Sequence, residues 1–250
     1  MKNKSGFKVV GGMILLGAVI ILGVCFVSQW QNGKKEEAYQ DMRQDIDKDG
    51  ENGTEAVHDF SQLKKQNADI YAWVQVPNTK VDYPVLQSTE DNYYLNHDFN
   101  RRESEPGSIY SNGCNSTDME DAITILYGHD MKARTMFGSL HFFDDKEFFE
   151  ENDTILVETP EALHTYVIYG VFNYNDDYLP SVFDVKDTEG AAAFIASLEE
   201  CASQGDKLTH VRRGETLTED DKILVLSTCI SGQDDRRFLV VGKLTNRDGY

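Results

Sequence analysis

The sequence predicts a mainly β fold, a barrel or sandwich with a few helical insertions. From residue 72 onward, short segments rich in β-branched and aromatic residues, several of them alternating between apolar and polar, indicate strands. Turn-forming sequences such as Pro106-Gly107 separate these segments, which do not alternate regularly with helices as the strands of a parallel sheet do. The roughly 195 residues after residue 54 are enough for one domain with a sizeable core.

The first predicted element of this domain is a helix. It is expected to begin near Glu55 and to continue toward Tyr71, because Val57, Phe60 and Leu63 lie on one helical face. The strands are predicted at residues 72–76, 81–86, 108–110, 122–127, 154–158, 165–172, 223–227 and 238–244.

Two further helices are predicted between the strands. Residues 147–152 indicate the end of a short helix. Residues 191–201 indicate a longer, alanine-rich helix, with Phe194, Ile195 and Leu198 on one side. Both lie in connections between predicted strands, so they are expected to be insertions in a β fold.

An uncharged and almost wholly apolar run at residues 9–28 predicts a transmembrane anchor. As a helix, residues 9–27 of this run span about 28 Å, roughly one hydrocarbon core. Three lysines precede it, so residues 1–8 are predicted to be a cytoplasmic tail, with everything after Ser28 outside the cell. A cleaved signal peptide is the competing interpretation, but the run is longer than a usual signal core and no A-x-A-like cleavage site follows it.

Residues 29–54 are polar and are predicted to form a linker. Within them, Asp45, Asp47 and Asp49 have the spacing of the first half of a calcium-binding EF-hand loop. The twelfth position of such a loop needs a glutamate and is Ala56 here. A solvated acidic turn is therefore favoured over a calcium site.

Charge and cysteine content exclude several classes of protein. The formal net charge is -19, which repels phosphate backbones, so no nucleic-acid partner is expected. Of the four cysteines, Cys25 lies in the apolar run, and the others show neither a CxxC pair nor a metal-ligand spacing. Neither a disulfide scaffold nor a metal site is indicated, although pairing of Cys114 with Cys201 stays open.

Two predicted strands end in reactive residues. The apolar run 123–127 leads into Gly128 and His129, and the run 223–228 leads into Cys229. Strand ends hold side chains in fixed geometry, and a thiol becomes a useful nucleophile when it lies beside a base or a positive group. Histidine is the side chain best able to exchange a proton near neutral pH. The pattern therefore predicts a cysteine nucleophile with a histidine acid or base.

A cation follows the cysteine by eight residues. Arg237 opens the strand that continues through residues 238–241, where a fixed guanidinium is able to stabilise the oxyanion of a thioester-forming step. Arg236 is the alternative. Arg237 is preferred because it directly precedes the aromatic and aliphatic residues of the strand.

The local sequences around these residues resemble the sortase family. Residues 226–229, Leu-Ser-Thr-Cys, with Arg237 downstream, resemble the sortase signature, and residues 126–129, Leu-Tyr-Gly-His, resemble the segment that holds the sortase histidine. Other segments are similar to class B sortases in order and spacing, namely 67–73, 81–85, 91–99 and 106–110. The resemblance covers residues 55–245, and the N-terminal helix and the Asn-His-Asp-Phe segment favour class B over class A.

The resemblance implies a fold and a reaction. The fold is an eight-stranded β-barrel within a catalytic domain at 55–250, with an N-terminal helix and a helical insertion before the seventh strand. In the reaction, Cys229 attacks the threonine carbonyl of a C-terminal sorting motif on a surface protein and holds the acyl group as a thioester. His129 protonates the leaving amine and later deprotonates the incoming one, while Arg237 binds the substrate backbone or the oxyanion. The acceptor is an amine of a cell-wall peptide or a pilin, and no metal or organic cofactor is needed.

The resemblance also implies a substrate groove. Its predicted lining residues are Leu95, Asn92, Ser227 and Thr228. The remaining histidines share no metal-binding spacing and are predicted to be structural or exposed; they are His58, His97, His141, His164 and His210.

Three functions are kept open. The first is sortase transpeptidation, for a single-pass membrane protein of a Gram-positive cell with its catalytic domain outside. The second is a secreted thiol peptidase that only hydrolyses. The third is a non-enzymatic surface protein that keeps the fold for adhesion or pilus assembly. The sorting motif, and the choice between haem uptake, pilus assembly and general anchoring, are not predicted.

Overall fold

The computed structural model describes residues 58–250 together with Tyr39. The chain divides into two compact units, Met1–Gly53 and Thr54–Tyr250, and the second contains all the elements described below. The predicted tail, anchor and linker, with the three aspartates of the calcium half-motif, lie outside the described residues apart from Tyr39.

The predicted localisation needs a correction. No helix in the part of the chain that the structure describes is long and apolar enough to cross a bilayer, which contradicts the predicted single-pass membrane protein. The run at residues 9–28, on which that prediction was based, lies outside the described residues.

The second unit is built on nine strands. They are β1 Ile70–Gln75, β2 Asp82–Leu86, β3 Ile109–Tyr110, β4 Ile123–Tyr127, β5 Thr154–Glu158, β6 Ala162–Asn175, β7 His210–Val211, β8 Ile223–Ile230 and β9 Gln233–Gly249. Their order is β5-β1-β2-β3-β4-β8-β9-β6-β7, and β5 also pairs with β6. Eight strands thus close into a ring, and the two-residue β7 lies beside β6. The predicted eight-stranded barrel is confirmed.

Helices connect and cover the barrel. They are α1 Phe60–Gln66, α2 Lys146–Glu151, α3 Leu179–Val182 and α4 Thr188–Ser203, with 3-10 helices at Tyr93–Leu95 and Phe137–Asp144. The predicted helical insertion is α4, which precedes β8, the seventh strand of the ring. The helix α1 is shorter than predicted, because Asn67 adopts an extended conformation with φ of −150° and β1 begins at Ile70.

The helix α4 packs on the four strands β4, β8, β9 and β6. Its Phe194 and Leu198 are fully buried in a cluster that also contains Ile125 of β4, Val225 of β8 and Leu239 of β9. Full burial of side chains of this size contributes about 1.5–3 kcal/mol each. This packing makes β4 and β8 a rigid support for the residues at their ends.

The burial of β8 explains its sequence. Its odd-numbered residues Ile223 and Val225 join the α4 cluster, and Leu224 and Leu226 are buried on the opposite face. A strand covered on both faces has a continuous apolar sequence rather than an alternating one. The six residues 223–228 are all buried, and Cys229 is the first exposed residue of the strand.

Candidate active site

Cys229 and His129 lie at the same end of two neighbouring strands. β4 and β8 are parallel, with Tyr127 opposite Ser227 as their last pair, and the amide of Gly128 donates to the carbonyl of Ser227 at 3.2 Å. His129 and Cys229 each follow this last pair by two residues. The register thus brings the backbone at the ends of these two strands side by side.

Gly128 allows the chain to leave β4 at this point. A Cβ atom there would lie 2.5 Å from Cδ1 of Ile109 and 2.8 Å from Cγ of Phe137. Such distances are shorter than real carbon contacts, so a side chain would displace the loop. The glycine lets the backbone pass between two buried side chains and directs His129 out of the barrel wall.

A backbone carbonyl orients the ring of His129. Its Nε2 lies 2.8 Å from the carbonyl oxygen of Leu95, the last residue of the 3-10 helix Tyr93–Leu95. A carbonyl only accepts, so Nε2 carries a proton and donates it. This arrangement leaves Nδ1 as the nitrogen for proton exchange. The side chain of Leu95 itself is exposed at 42%.

Arg237 shares a face with Cys229. The two residues are directly opposite each other in the antiparallel pair of β8 and β9, and opposite residues of such a pair project to the same side. Nη1 of Arg237 donates to the carbonyls of Asp234 and Arg236, at 3.1 and 2.7 Å. The guanidinium is thus anchored through one nitrogen at the edge of the site.

Arg236 points away from Cys229. Its Nε donates to Oδ1 of Asn173 at 2.8 Å, and its Nη2 donates to the carbonyl of the same residue. Since successive side chains of a strand lie on opposite faces, only one of the two arginines shares the face of Cys229. That arginine is Arg237.

Asn92 is held in a network of polar groups beside this site. Its φ is 60°, and its Oδ1 accepts from the hydroxyl of Tyr110 at 3.0 Å and from Nδ2 of Asn112 at 3.2 Å. Burial raises the pKa of Tyr110, and the nearby charges of Tyr178, Asp91 and Cys229 raise it further. The phenol therefore stays protonated and remains a donor to Asn92.

The two residues before Cys229 differ in orientation. Ser227 is on the face of Cys229 and is 7% exposed. Thr228 is 2% exposed and lies opposite the buried Phe238, on the other face of the strand. The prediction that Thr228 lines the groove is corrected, because the two-residue period of a strand places its side chain in the core.

Three free cysteines occur in the described residues, and they differ in environment. Cys229 is exposed, whereas Cys201 is buried and Cys114 is partly buried. Burial raises the pKa of both Cys114 and Cys201, so these thiols stay protonated and are poor nucleophiles. The possible disulfide between them is not formed. Within residues 58–250, no group of three or more His, Cys, Asp or Glu side chains is arranged to hold a metal ion.

Sequence reasoning missed a second histidine beside Cys229. His141 was expected to be structural or exposed; it is buried, and its Nε2 lies 3.0 Å from the carbonyl oxygen of Cys229 and its Nδ1 lies 3.2 Å from Oδ2 of Asp144. The two residues in the first contact are 88 positions apart. No local motif marks such a contact, so only the folded structure reveals it.

The closed eight-stranded barrel carries a thiol on β8, a guanidinium opposite it on β9, and an imidazole just after the neighbouring end of β4. A family model described as the sortase domain matches residues 74–245. The chain belongs to the sortase family, whose members are cysteine transpeptidases.

Individual relatives are class B sortases. The chain is 28% identical to sortase B of Listeria monocytogenes, over 92% of this chain and 95% of that protein. The crystal structure of Clostridium perfringens sortase B is 31% identical, with a TM-score of 0.65, and the match covers 75% of this chain and 100% of that one. A class B sortase of Streptococcus pyogenes involved in pilus biogenesis is 28% identical, with a TM-score of 0.62, over 75% and 98% of the two chains. The predicted resemblance to class B sortases is confirmed.

Proposed function

We propose that this protein is a transpeptidase that cleaves a C-terminal sorting motif of surface proteins after its threonine and transfers the acyl group to an amine of a cell-wall peptide or a pilin. The proposal rests on two strand registers, Tyr127 opposite Ser227 and Cys229 opposite Arg237. Together they set His129, Cys229 and Arg237 at one end of the barrel wall. Family membership supports the same reaction class.

In the first step Cys229 is the nucleophile. Its sulfur attacks the threonine carbonyl, the Sγ–C bond forms, and the C–N bond to the next residue breaks through a tetrahedral intermediate. Negative charge develops on the carbonyl oxygen, and a donor already in place there stabilises it without reorganisation. Arg237 provides this donor, because it projects from β9 on the face of Cys229 and its Nη1 is held by two carbonyls, which leaves Nη2 to donate.

His129 exchanges the protons. Its Nε2 stays on the carbonyl of Leu95, while Nδ1 takes the proton that the Cys229 thiol loses and gives it to the leaving amine as the C–N bond breaks. The same nitrogen then takes a proton from the incoming amine, which attacks the thioester and releases Cys229. The exposed side chain of Leu95 and the Asn92 network lie along the same edge and form one wall of the substrate groove.

The choice of acceptor separates transpeptidation from simple hydrolysis. Full-length protein is incubated with a fluorogenic peptide and increasing amounts of triglycine or a diaminopimelate peptide; the peptide carries an Asn-Pro-x-Thr-Asn-like motif, because class B sortases often take that motif. We expect the acyl fragment to appear increasingly as the amide of the added amine, because the amine competes with water for one thioester. Mass spectrometry of the products measures the partition. A free carboxylic acid as the only product at every amine concentration would favour the hydrolysing peptidase.

The two adjacent arginines provide a matched test of the oxyanion role. We expect Arg237→Ala to lower kcat/KM for the sorting peptide by about 100-fold, the usual effect of removing one oxyanion donor, with little change in Tm. We expect Arg236→Ala to lower Tm instead, since it leaves the side-chain oxygen of Asn173 without its donor and leaves the Asn173 carbonyl with only the weak Cys201 thiol donor, a loss of about 1–3 kcal/mol. Steady-state kinetics and calorimetry measure both variants. Equal kinetic losses in the two would contradict the assignment.

A further inference from the structure

The loop that carries His129 turns back on itself at Met136. The amide of Phe137 donates to the carbonyl of His129 at 3.1 Å, and Asp130 and Met136 face each other as an isolated antiparallel bridge. The backbone of His129 is therefore held by the returning half of its own loop, while its ring is held at the carbonyl of Leu95. Nothing in the proposed mechanism uses the backbone contact.

Met136 has a backbone conformation that residues with a side chain rarely adopt. Its φ is 51° and its ψ is −127°, close to the values of about +60° and −120° at the first central residue of a type II′ turn. The amide of Gly138 donates to the carbonyl of Thr135 at 3.0 Å, which is the hydrogen bond that closes such a turn. Glycine normally occupies this position, because a Cβ atom crowds the backbone when φ is positive. Met136 is therefore a strained residue.

The wall of the barrel holds this conformation in place. The amide of Met136 donates to the hydroxyl of Tyr83, a fully buried residue of β2, at 3.2 Å, and the Met136 side chain is itself buried. Between β1 and β2, Lys80 donates through its amide to Oγ of Ser139 and through Nζ to the carbonyl of Ala133, both at 3.0 Å. Strained conformations persist where the surroundings over-determine them, and they concentrate at functional sites.

The turn packs against the chain on both sides of His129. The ring of Phe137 is fully buried and leaves no room for a side chain at Gly128, where a Cβ atom would lie 2.8 Å from Cγ. A Cβ atom at Gly138 would lie 2.5 Å from the carbonyl oxygen of Met131 and 2.9 Å from its amide nitrogen. With contacts this close, a displaced turn would move His129 with it.

We propose that Met136 is a positioning residue for His129. Tyr83 and the buried thioether hold Met136 in its strained conformation. The turn then places the amide of Phe137 on the carbonyl of His129. Proton exchange requires such fixed geometry, because a general acid must lie within hydrogen-bond reach of the proton that it transfers. The inference rests on the proposed function only in giving His129 that role.

Two substitutions at residue 136 test the strain. Met136→Gly and Met136→Ala both remove the thioether, but only glycine relieves the backbone. Alanine ordinarily gives the more stable protein, because glycine loses more conformational freedom on folding. We expect the reverse order here, with the higher Tm in Met136→Gly and a kcat for the sorting peptide about tenfold above that of Met136→Ala. Calorimetry and steady-state kinetics measure both. The ordinary order, with alanine above glycine in Tm or in kcat, would overturn the proposal.

Tyr83→Phe tests the hydrogen bond that holds the strained residue. The variant removes the hydroxyl that accepts from the amide of Met136 and keeps the ring. We expect kcat to fall by about tenfold with KM unchanged, because the substrate groove is intact and His129 is displaced. Tyr71→Phe is the matched control, since it removes another buried hydroxyl, which lies 2.8 Å from Oγ of Ser111, and its kcat is expected to stay that of the wild type. Equal losses of kcat in the two variants would contradict the positioning role.

The ring of His129 also reports its position without any substrate. Its Cε1–H resonance in the full-length protein, assigned from its absence in His129→Gln, is expected to shift in Tyr83→Phe and to stay in place in Tyr71→Phe. A resonance that stays in place in both variants would overturn the proposal even if kcat fell. The two tests use different variants, so one still decides if the other variant does not fold. If the protein were not an enzyme, the wild type would fail to cleave the peptide, and neither the resonance nor the order of Tm values depends on that outcome.

Discussion

Cys229→Ala is expected to lower the rate of sorting-peptide cleavage by about four orders of magnitude or more, the scale of loss when an enzyme's nucleophile is removed. Cys229 is the exposed thiol among the three described cysteines, whereas burial raises the pKa of Cys114 and Cys201 and keeps them protonated. The variant is expected to fold normally, because an exposed side chain at the end of β8 makes no core contact. Cleavage is measured with a fluorogenic peptide.

Cys114→Ala is the matched control for this prediction. It removes a thiol near the groove, 3.9 Å from the hydroxyl of Tyr178, and is expected to keep most of the activity. If Cys229→Ala cleaved the sorting peptide at the wild-type rate, both enzymatic hypotheses, the transpeptidase and the hydrolysing thiol peptidase, would be ruled out. The non-enzymatic role in adhesion or pilus assembly would then be favoured.

His129→Gln is expected to lower kcat by about 1,000-fold, within the range for loss of a general acid and base. Glutamine keeps an N–H donor for the Leu95 carbonyl, so the loop conformation is retained, but an amide cannot exchange a proton with the substrate amine. Both acylation and transfer need this exchange, so both are expected to slow. Single-turnover kinetics with and without triglycine measure the two steps separately.

His97→Gln is the matched control, because it makes the same substitution at another histidine that is hydrogen-bonded to the 3-10 helix Tyr93–Leu95. Its Nδ1 lies 2.8 Å from the carbonyl of Tyr93, so it too is held by the short 3-10 helix, while its ring stacks on Tyr93. We expect a change in kcat of less than about threefold. A loss equal to that of His129→Gln would show that the helix position, rather than proton exchange at residue 129, limits the rate.

The strands could be predicted where burial dictates the sequence. β8 is covered on both faces, so its apolar run is unmistakable, and β5 was predicted with its observed ends at Thr154 and Glu158. β9 was predicted to stop at Leu244 but extends to Gly249, because pairing with β6, and not burial, holds its exposed last residues. β7 has only two residues and carries no pattern of its own.

The site was predictable to the extent that it depends on strand ends. Cys229 and His129 were predicted because each follows an apolar strand and because the sequences around them resemble the sortase segments. Side chains alternate between the two faces of a strand, so Thr228 lies on the face opposite that of its neighbour Cys229. The same rule, applied to the sequence, would have excluded Thr228 from the groove. The contact of His141 with Cys229 depends on how a 3-10 helix packs against a distant strand, which local sequence does not encode.

A covalent intermediate on Cys229 is the most direct consequence of the proposed mechanism. Full-length protein is mixed with a sorting peptide, quenched in acid within the first turnover, digested and mapped by mass spectrometry. The account predicts that the peptide containing Cys229 gains the mass of the acyl fragment ending in threonine, and that hydroxylamine removes it. Cleavage of the sorting peptide with no adduct, or with the adduct on Cys114 or Cys201, would contradict the account.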